Sequence, residues 1–383
     1  MEEKVMQSVS RTRMATSRFH IYYTFCVSFF VLTCSCLGHP VHQRRHAAMF
    51  IFGDSLFDNG NNNYLNTTTK YQSNFWPYGE SFFNYSTGRF SDGRLISDFI
   101  AEYAKLPLIP PFLQPGFKNY TYGVNFASSA AGVLAETHPG FVIDLKTQLS
   151  HFKKVEKHLR HKLGDDKAHT LLSEAVYLIS IGGNDYFAPF IKNSSFYETQ
   201  SPTQFVGMVI GNLTNVIKGI YIKGGRKFGF ANGIPLGCVP MMRATKPGST
   251  GTCVDEITAV LKLHNKVLAK VLVKLKGQLH GFKYSNPNVY SYLDEIIKNP
   301  SQYGFKEGKV ACCGSGPYRG ALSCGGKRGV TEYQLCDNVN DYVFFDSAHP
   351  TDRANEQVSK YWWNYTTPDM KVPHVNLKEL FEV

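Results

Sequence analysis

Residues 47–58 read Ala-Ala-Met-Phe-Ile-Phe-Gly-Asp-Ser-Leu-Phe-Asp. The first six, Ala47–Phe52, are apolar without interruption and stop at Gly53, the pattern of a strand buried on both faces. Working outward, the pattern returns in Ala175–Ile181 and Lys227–Ile234, and more weakly in Lys283–Tyr290. Between these runs the apolar residues recur three to four apart. Leu145, Leu149, Phe152, Val155, Leu159 and Leu163 do so in 144–163, and Phe205, Val209, Leu213, Val216 and Ile220 in 202–223. The stretch 254–276 repeats it from Ile257 to Leu275. Apolar strands alternating with amphipathic helices predict an α/β fold, a parallel sheet covered on both faces. Such a sheet presents its site where the strand C-termini meet the following loops. With no repeat and no composition break, residues 39–383 read as one domain, in which 235–253 and 310–336 look like stapled insertions.

Hydrophobic residues make up 43% and charged residues 19% of the 383, which excludes a disordered tail, a collagen-like fibre and a multi-span membrane protein. The formal charge of +11 is spread thinly, without a run of like charges, so it predicts a mildly basic surface and no nucleic-acid partner. Residues 1–38 stand apart. Lys4, Arg11, Arg13 and Arg18 precede an apolar run, Ile21–Leu37, with Cys36 and Gly38 at the −3 and −1 positions of a cleavage site. That is the layout of a signal peptide cut after Gly38. The competing reading is an uncleaved anchor; the Thr, Ser and Cys within the run and the cleavage site favour removal. Later stretches offer no stable membrane span, and a secreted, extracellular chain of charge +9 is expected, since four basic and two acidic groups leave with the signal.

Six cysteines then remain: Cys238, Cys253, Cys312, Cys313, Cys324 and Cys336. An even number in a secreted chain predicts disulfides. Locality pairs Cys238 with Cys253 and leaves the other four to pair among themselves. The metal reading is weak, because no CxxC pair exists. Glycosylation acceptors occur at Asn66, Asn84, Asn119, Asn193, Asn212 and Asn364.

Four segments carry chemistry. Ser55 follows the first strand in Gly53-Asp54-Ser55, placed to project its hydroxyl into a site; alone, it reads rather as a turn or helix cap. Ile181-Gly182-Gly183-Asn184-Asp185 ends the strand Ala175–Ile181, where an Asn amide donates to a developing oxyanion or simply makes a turn. Asn125-Phe126-Ala127-Ser128-Ser129-Ala130-Ala131-Gly132 is a small-residue loop with N–H groups to offer. In Asp346-Ser347-Ala348-His349 the carboxylate holds the imidazole tautomer while the other ring nitrogen faces a nucleophile, or His349 merely enters a helix. Taken together the four lie on one edge of the predicted sheet and supply nucleophile, oxyanion donors, base and orienting acid, the inventory of an acyl-transfer site. The G-x-S-x-G elbow of α/β-hydrolases is missing, as are HExxH and a P-loop.

In order, FGDSLFDNGNNN, NFASSAAG, GGND and DSAHP resemble the sequence blocks of the GDSL esterase/lipases of the SGNH hydrolase superfamily, in their large secreted plant type. CVP and ACCG…GPY resemble further landmarks of that type, so the likeness runs from about Phe50 to Ala354. The resemblance implies a three-layer α/β/α sandwich with a parallel five-stranded, flavodoxin-like sheet, and neither metal nor organic cofactor. It implies Ser55 as nucleophile, His349 and Asp346 as the rest of a triad, and Gly132, Asn184 and the Ser55 N–H as oxyanion contacts. The expected activity is hydrolysis of carboxylic esters of lipids or small acyl groups. An acyltransferase using an alcohol in place of water, a polysaccharide deacetylase and a non-catalytic accessory protein are the alternatives.

Overall fold

Five strands build the sheet: β1 (Met49–Gly53), β2 (Gly123–Asn125), β3 (Val176–Ser180), β4 (Lys227–Phe230) and β5 (Lys283–Ser285). Their order is β2-β1-β3-β4-β5 and every neighbouring pair is parallel, the order of a flavodoxin-like doubly wound fold. The computed structural model describes residues 47–193, 195–245, 251–365 and 375–382. The signal peptide expected over 1–38 lies outside them.

The helices are α1 (Ile96–Tyr103), α2 (Leu145–Leu163), α3 (Asp165–Glu174), α4 (Gly183–Lys192), α5 (Phe196–Thr199) and α6 (Pro202–Ile222). They continue as α7 (Pro240–Ala244), α8 (Asp255–Gln278), α9 (Val289–Lys298), α10 (Asp352–Asn364) and α11 (Leu377–Phe381). Strand register explains the two covered faces. Phe50, Tyr177 and Phe228 are cross-strand partners, and their rings stack 5.4 Å apart in succession. Phe152 of α2 meets Phe50 and Tyr177 edge-on, at 5.5 and 5.6 Å, closing the layer that α6 and α8 extend. On the opposite face Ile51, Leu178 and Gly229 align. A Cβ at Gly229 would stand 2.9 Å from Leu377 and 3.1 Å from Trp362, so the glycine lets α10 and α11 seat against the sheet. Helix α1 packs on α10 in the same layer.

Helix α6 is long and apolar enough to cross a membrane by composition. Its Val206, Val209, Ile210, Leu213, Val216, Ile217 and Ile220 are instead buried against α2 and α8, as in a core helix. Two readings of the sequence need correction. The strand expected over Lys283–Tyr290 stops at Ser285, because Asn288 caps α9 by accepting the Ser291 N–H at 3.0 Å. The strand β2 was not anticipated: three residues long and opened by Gly123 at φ 106°, it has no apolar run to announce it. Both insertions are stapled as expected, by Cys238–Cys253 in the first and by Cys312–Cys336 and Cys313–Cys324 in the second.

Candidate active site

From β1 the chain crosses to β2 on one side and later returns to β3 on the other. The loops leaving β1 and β3 therefore diverge and open a cleft, the topological switch point of such sheets. Ser55 stands on the first loop, and Asn184 in the helix turn that directly follows the second. The end of β1 is held hard. Gln148 of α2 is fully buried, accepts the Gly53 N–H at 2.9 Å and donates to the Gly53 carbonyl at 2.8 Å. A Cβ at Gly53 would sit 2.6 Å from the Ser180 carbonyl oxygen, so only glycine lets β1 and β3 close up here. The chain then turns sharply, with the Phe57 and Asp58 N–H groups donating back to the Asp54 carbonyl.

The structure brings Ser55, His349 and Asp346 together across 294 residues of sequence. Ser55 Oγ lies 2.8 Å from His349 Nε2, and His349 Nδ1 lies 2.7 Å from Asp346 Oδ1. The same carboxylate oxygen accepts the backbone N–H groups of Ala348 and His349, both at 2.9 Å. Burial alone would push Asp346 up; the charge and hydrogen bond of His349, the charge of Arg328 and these N–H donors outweigh it and hold the carboxyl well below the usual range. The Phe90 ring packs 4.7 Å from the imidazole.

Asn184, in the first turn of α4, donates one amide hydrogen to the Ala131 carbonyl at 3.0 Å, leaving the other for the cavity it lines. Beside it Asp185 is buried and accepts from the Val133 and Leu134 N–H groups and from Thr137 Oγ1, at 2.8, 3.0 and 2.7 Å. Burial pushes its pKa up to about 6 against the pull of those donors. Gly132, expected among the oxyanion contacts, has an N–H that meets no acceptor among the described residues. It is absent from the cavity wall, and a Cβ there would come 2.5 Å from Asp185 Oδ1 and from Thr137, so its missing side chain makes room for that clamp. Ser129 and Ala130 of the same loop line the cavity instead. The Ser129 N–H is taken by Asp58 at 2.8 Å, whereas those of Ala130 and Ser55 meet no acceptor among the described residues.

Several residues of the site carried no assigned role in the sequence reading. Asp58 also accepts the Gly60 and Asn61 N–H groups at 2.8 and 2.7 Å. Asn61 donates to the Asn125 and Ala127 carbonyls at 2.9 and 2.8 Å, and Asn62 accepts from Ser128 at 2.6 Å. The DNGNNN run is thus a buried platform tying the Ser55 turn to the 125–129 loop. So many amides directly after an apolar strand were the available signal, because buried polar groups must find partners. Around Ser55 opens a cavity of about 160 Å³ whose wall is largely apolar, with Ile181, Phe187, Ile234, Leu236, Met241 and Leu322 among its residues.

Comparison with known proteins gives the family. The GDSL-like lipase/acylhydrolase family matches residues 49–362. GDSL esterase/lipase 4 of Arabidopsis thaliana is 47% identical over 97% of this chain and all of its own length. GDSL esterase/lipase 1 of the same plant is 48% identical over 94% and 96%. A GDSL lipase of Tanacetum cinerariifolium is 49% identical over 91% and 92%. A chain with this sheet order, matched from its first strand to its penultimate helix, belongs to the GDSL-like lipase/acylhydrolase family and is a carboxylic-ester hydrolase.

Proposed function

We propose that the protein hydrolyses acyl esters through an acyl-enzyme on Ser55. His349 Nε2 takes the Ser55 proton as Oγ attacks the ester carbonyl, and Asp346 orients the imidazole and stabilises the imidazolium. The Asn184 amide and the Ser55 N–H receive the oxyanion, with Ala130 in the place first given to Gly132. His349 then protonates the departing alcohol, and water, activated by the same nitrogen, attacks the acyl carbonyl and releases the acid. The observation that carries the reading is the unbroken chain Ser55–His349–Asp346 opening on an apolar cavity.

Secretion and glycosylation are part of the same proposal. Three disulfides favour an oxidising compartment, and all six acceptor asparagines are exposed. The test is expression of residues 39–383 through a secretory host as wild type and Ser55→Ala. Both are treated with a serine-reactive fluorophosphonate and with p-nitrophenyl esters from acetyl to long acyl. Labelling and turnover that vanish in the variant support the assignment. A folded wild type that neither labels nor turns over overturns it.

A further inference from the structure

The second oxygen of Asp346 has a partner of its own. Oδ2 accepts the Tyr78 hydroxyl at 2.7 Å, and the Tyr78 oxygen in turn accepts Arg328 Nη1 at 2.6 Å. Tyr78 is fully buried, and Arg328 is only 5% exposed. A guanidinium can only donate. Because Arg328 donates to the Tyr78 oxygen, the one phenolic hydrogen is left for the carboxylate, and the direction of every bond in the chain follows. Arg328 donates to Tyr78, Tyr78 to Asp346, and His349 Nδ1–H to Asp346, which leaves the Nε2 lone pair facing Ser55.

Arg328 is itself held. Nε donates to the Thr69 carbonyl at 3.1 Å and Nη2 to the Gln72 carbonyl at 2.5 Å. Its guanidinium lies 4.9 to 5.5 Å from the rings of Phe75, Tyr78 and Phe90. Among the described residues no carboxylate lies within ion-pair distance of it. A buried cation costs several kcal/mol in desolvation, and packing alone would be served by an apolar side chain. The negative charge this cation faces is that of Asp346, one phenol away. Arg328 also sits between Cys324 and Cys336, the ends of the bridges to Cys313 and Cys312.

We propose that Tyr78 and Arg328 are positioning residues of the esterase site, which keep Asp346 ionised and aimed at His349, and that the stapled segment 310–336 is there to deliver Arg328. This inference rests on the triad reading above. The experiment compares wild type with Tyr78→Phe, Arg328→Gln and Arg328→Lys on a p-nitrophenyl ester, with each turnover divided by the sites that a fluorophosphonate titrates. Tyr78→Phe and Arg328→Gln lower kcat by about tenfold to a hundredfold, the scale of a misaligned catalytic group, with KM within about twofold of wild type. In Arg328→Gln the acid limb of the kcat/KM profile moves to higher pH, because a carboxylate stripped of its cation favours the imidazolium. Asp54, the other carboxylate whose charge His349 feels, is the same in all the variants. Arg328→Lys restores the charge and returns the limb toward its wild-type position.

Variants that match wild type per titrated site, in kcat and in acid limb, overturn the proposal. So does a loss of activity wholly accounted for by fewer titratable sites. Where Arg328→Gln fails to fold, Tyr78→Phe, which removes one oxygen from an intact aromatic box, decides on kcat. An inert wild type would instead defeat the triad reading itself.

Discussion

Replacing Gln148 with Leu tests whether the end of β1 is held from α2. The side chain is fully buried and makes three bonds: it accepts the Gly53 N–H and donates to the Gly53 and Ile143 carbonyls. Leucine is of similar volume and makes none. The Gly53 carbonyl keeps the Ser128 N–H at 3.1 Å, but the Gly53 N–H and the Ile143 carbonyl are orphaned. At about 1–3 kcal/mol per buried unsatisfied group the loss comes to about 2–6 kcal/mol. Urea titration with an unchanged slope reads this as a lower midpoint. Ser55 stands two residues beyond Gly53, so turnover per titrated site should fall about tenfold or more as the serine loses its register with His349. A variant within about 1 kcal/mol of wild type and equally active would refute the reasoning, since the clip would then hold nothing.

Asn184→Ala removes the proposed oxyanion donor and should lower kcat by about a hundred- to thousandfold while Ser55 still reacts with the fluorophosphonate; a loss under threefold speaks against the assignment. Burial raises Asp54 from 3.8 to about 7, so between those values the folded chain keeps a proton that the unfolded chain has lost. That contribution to stability is complete below about pH 4 and gone above about pH 7. Asp54→Asn, which does not titrate, should therefore match wild type more closely at pH 5 than at pH 8, where the variant gains, and a pH-independent difference in unfolding midpoint would count against it. Cys238→Ser with Cys253→Ser opens a 15-residue loop and should cost about 3 kcal/mol, read by denaturant midpoint; an unchanged midpoint would show that the bridge constrains nothing.

The sheet was legible where burial on both faces leaves an unbroken apolar run, as in Met49–Gly53 and Val176–Ser180. It was not legible in Gly123–Asn125, whose three residues become a strand because β1 offers them an edge at matching register. Ser55, Asn184, Asp346 and His349 were each singled out because a short motif follows a strand or precedes a helix. Gly132 has a packing role that its motif did not announce. A glycine in a loop reads as an approach for a ligand, while here it is the approach of Asp185 and Thr137. Tyr78 and Arg328 lay beyond reach altogether, since a tyrosine and an arginine 250 residues apart carry no local signature.

Cavity residues that strain the backbone show why the rest of this network exists. Ala130 and His138 both hold positive φ, 62° and 54°, without being glycine, and a ring nitrogen of His138 lies 3.0 Å from the Ala130 carbonyl oxygen. Such conformations cost about 1–3 kcal/mol each and persist only where the surroundings over-determine them. The surroundings do so here: Asp58 pins Ser129 on one side of Ala130, Asn184 pins Ala131 on the other, and Asp185 holds the loop from Val133 onward. Burial raises both carboxylates to about 6, so each anchor is itself set against its own desolvation. A loop held from so many points has little freedom to reorganise as charge develops on a substrate oxygen. That rigidity is what electrostatic preorganisation requires, because a donor already in place stabilises the oxyanion without first being moved.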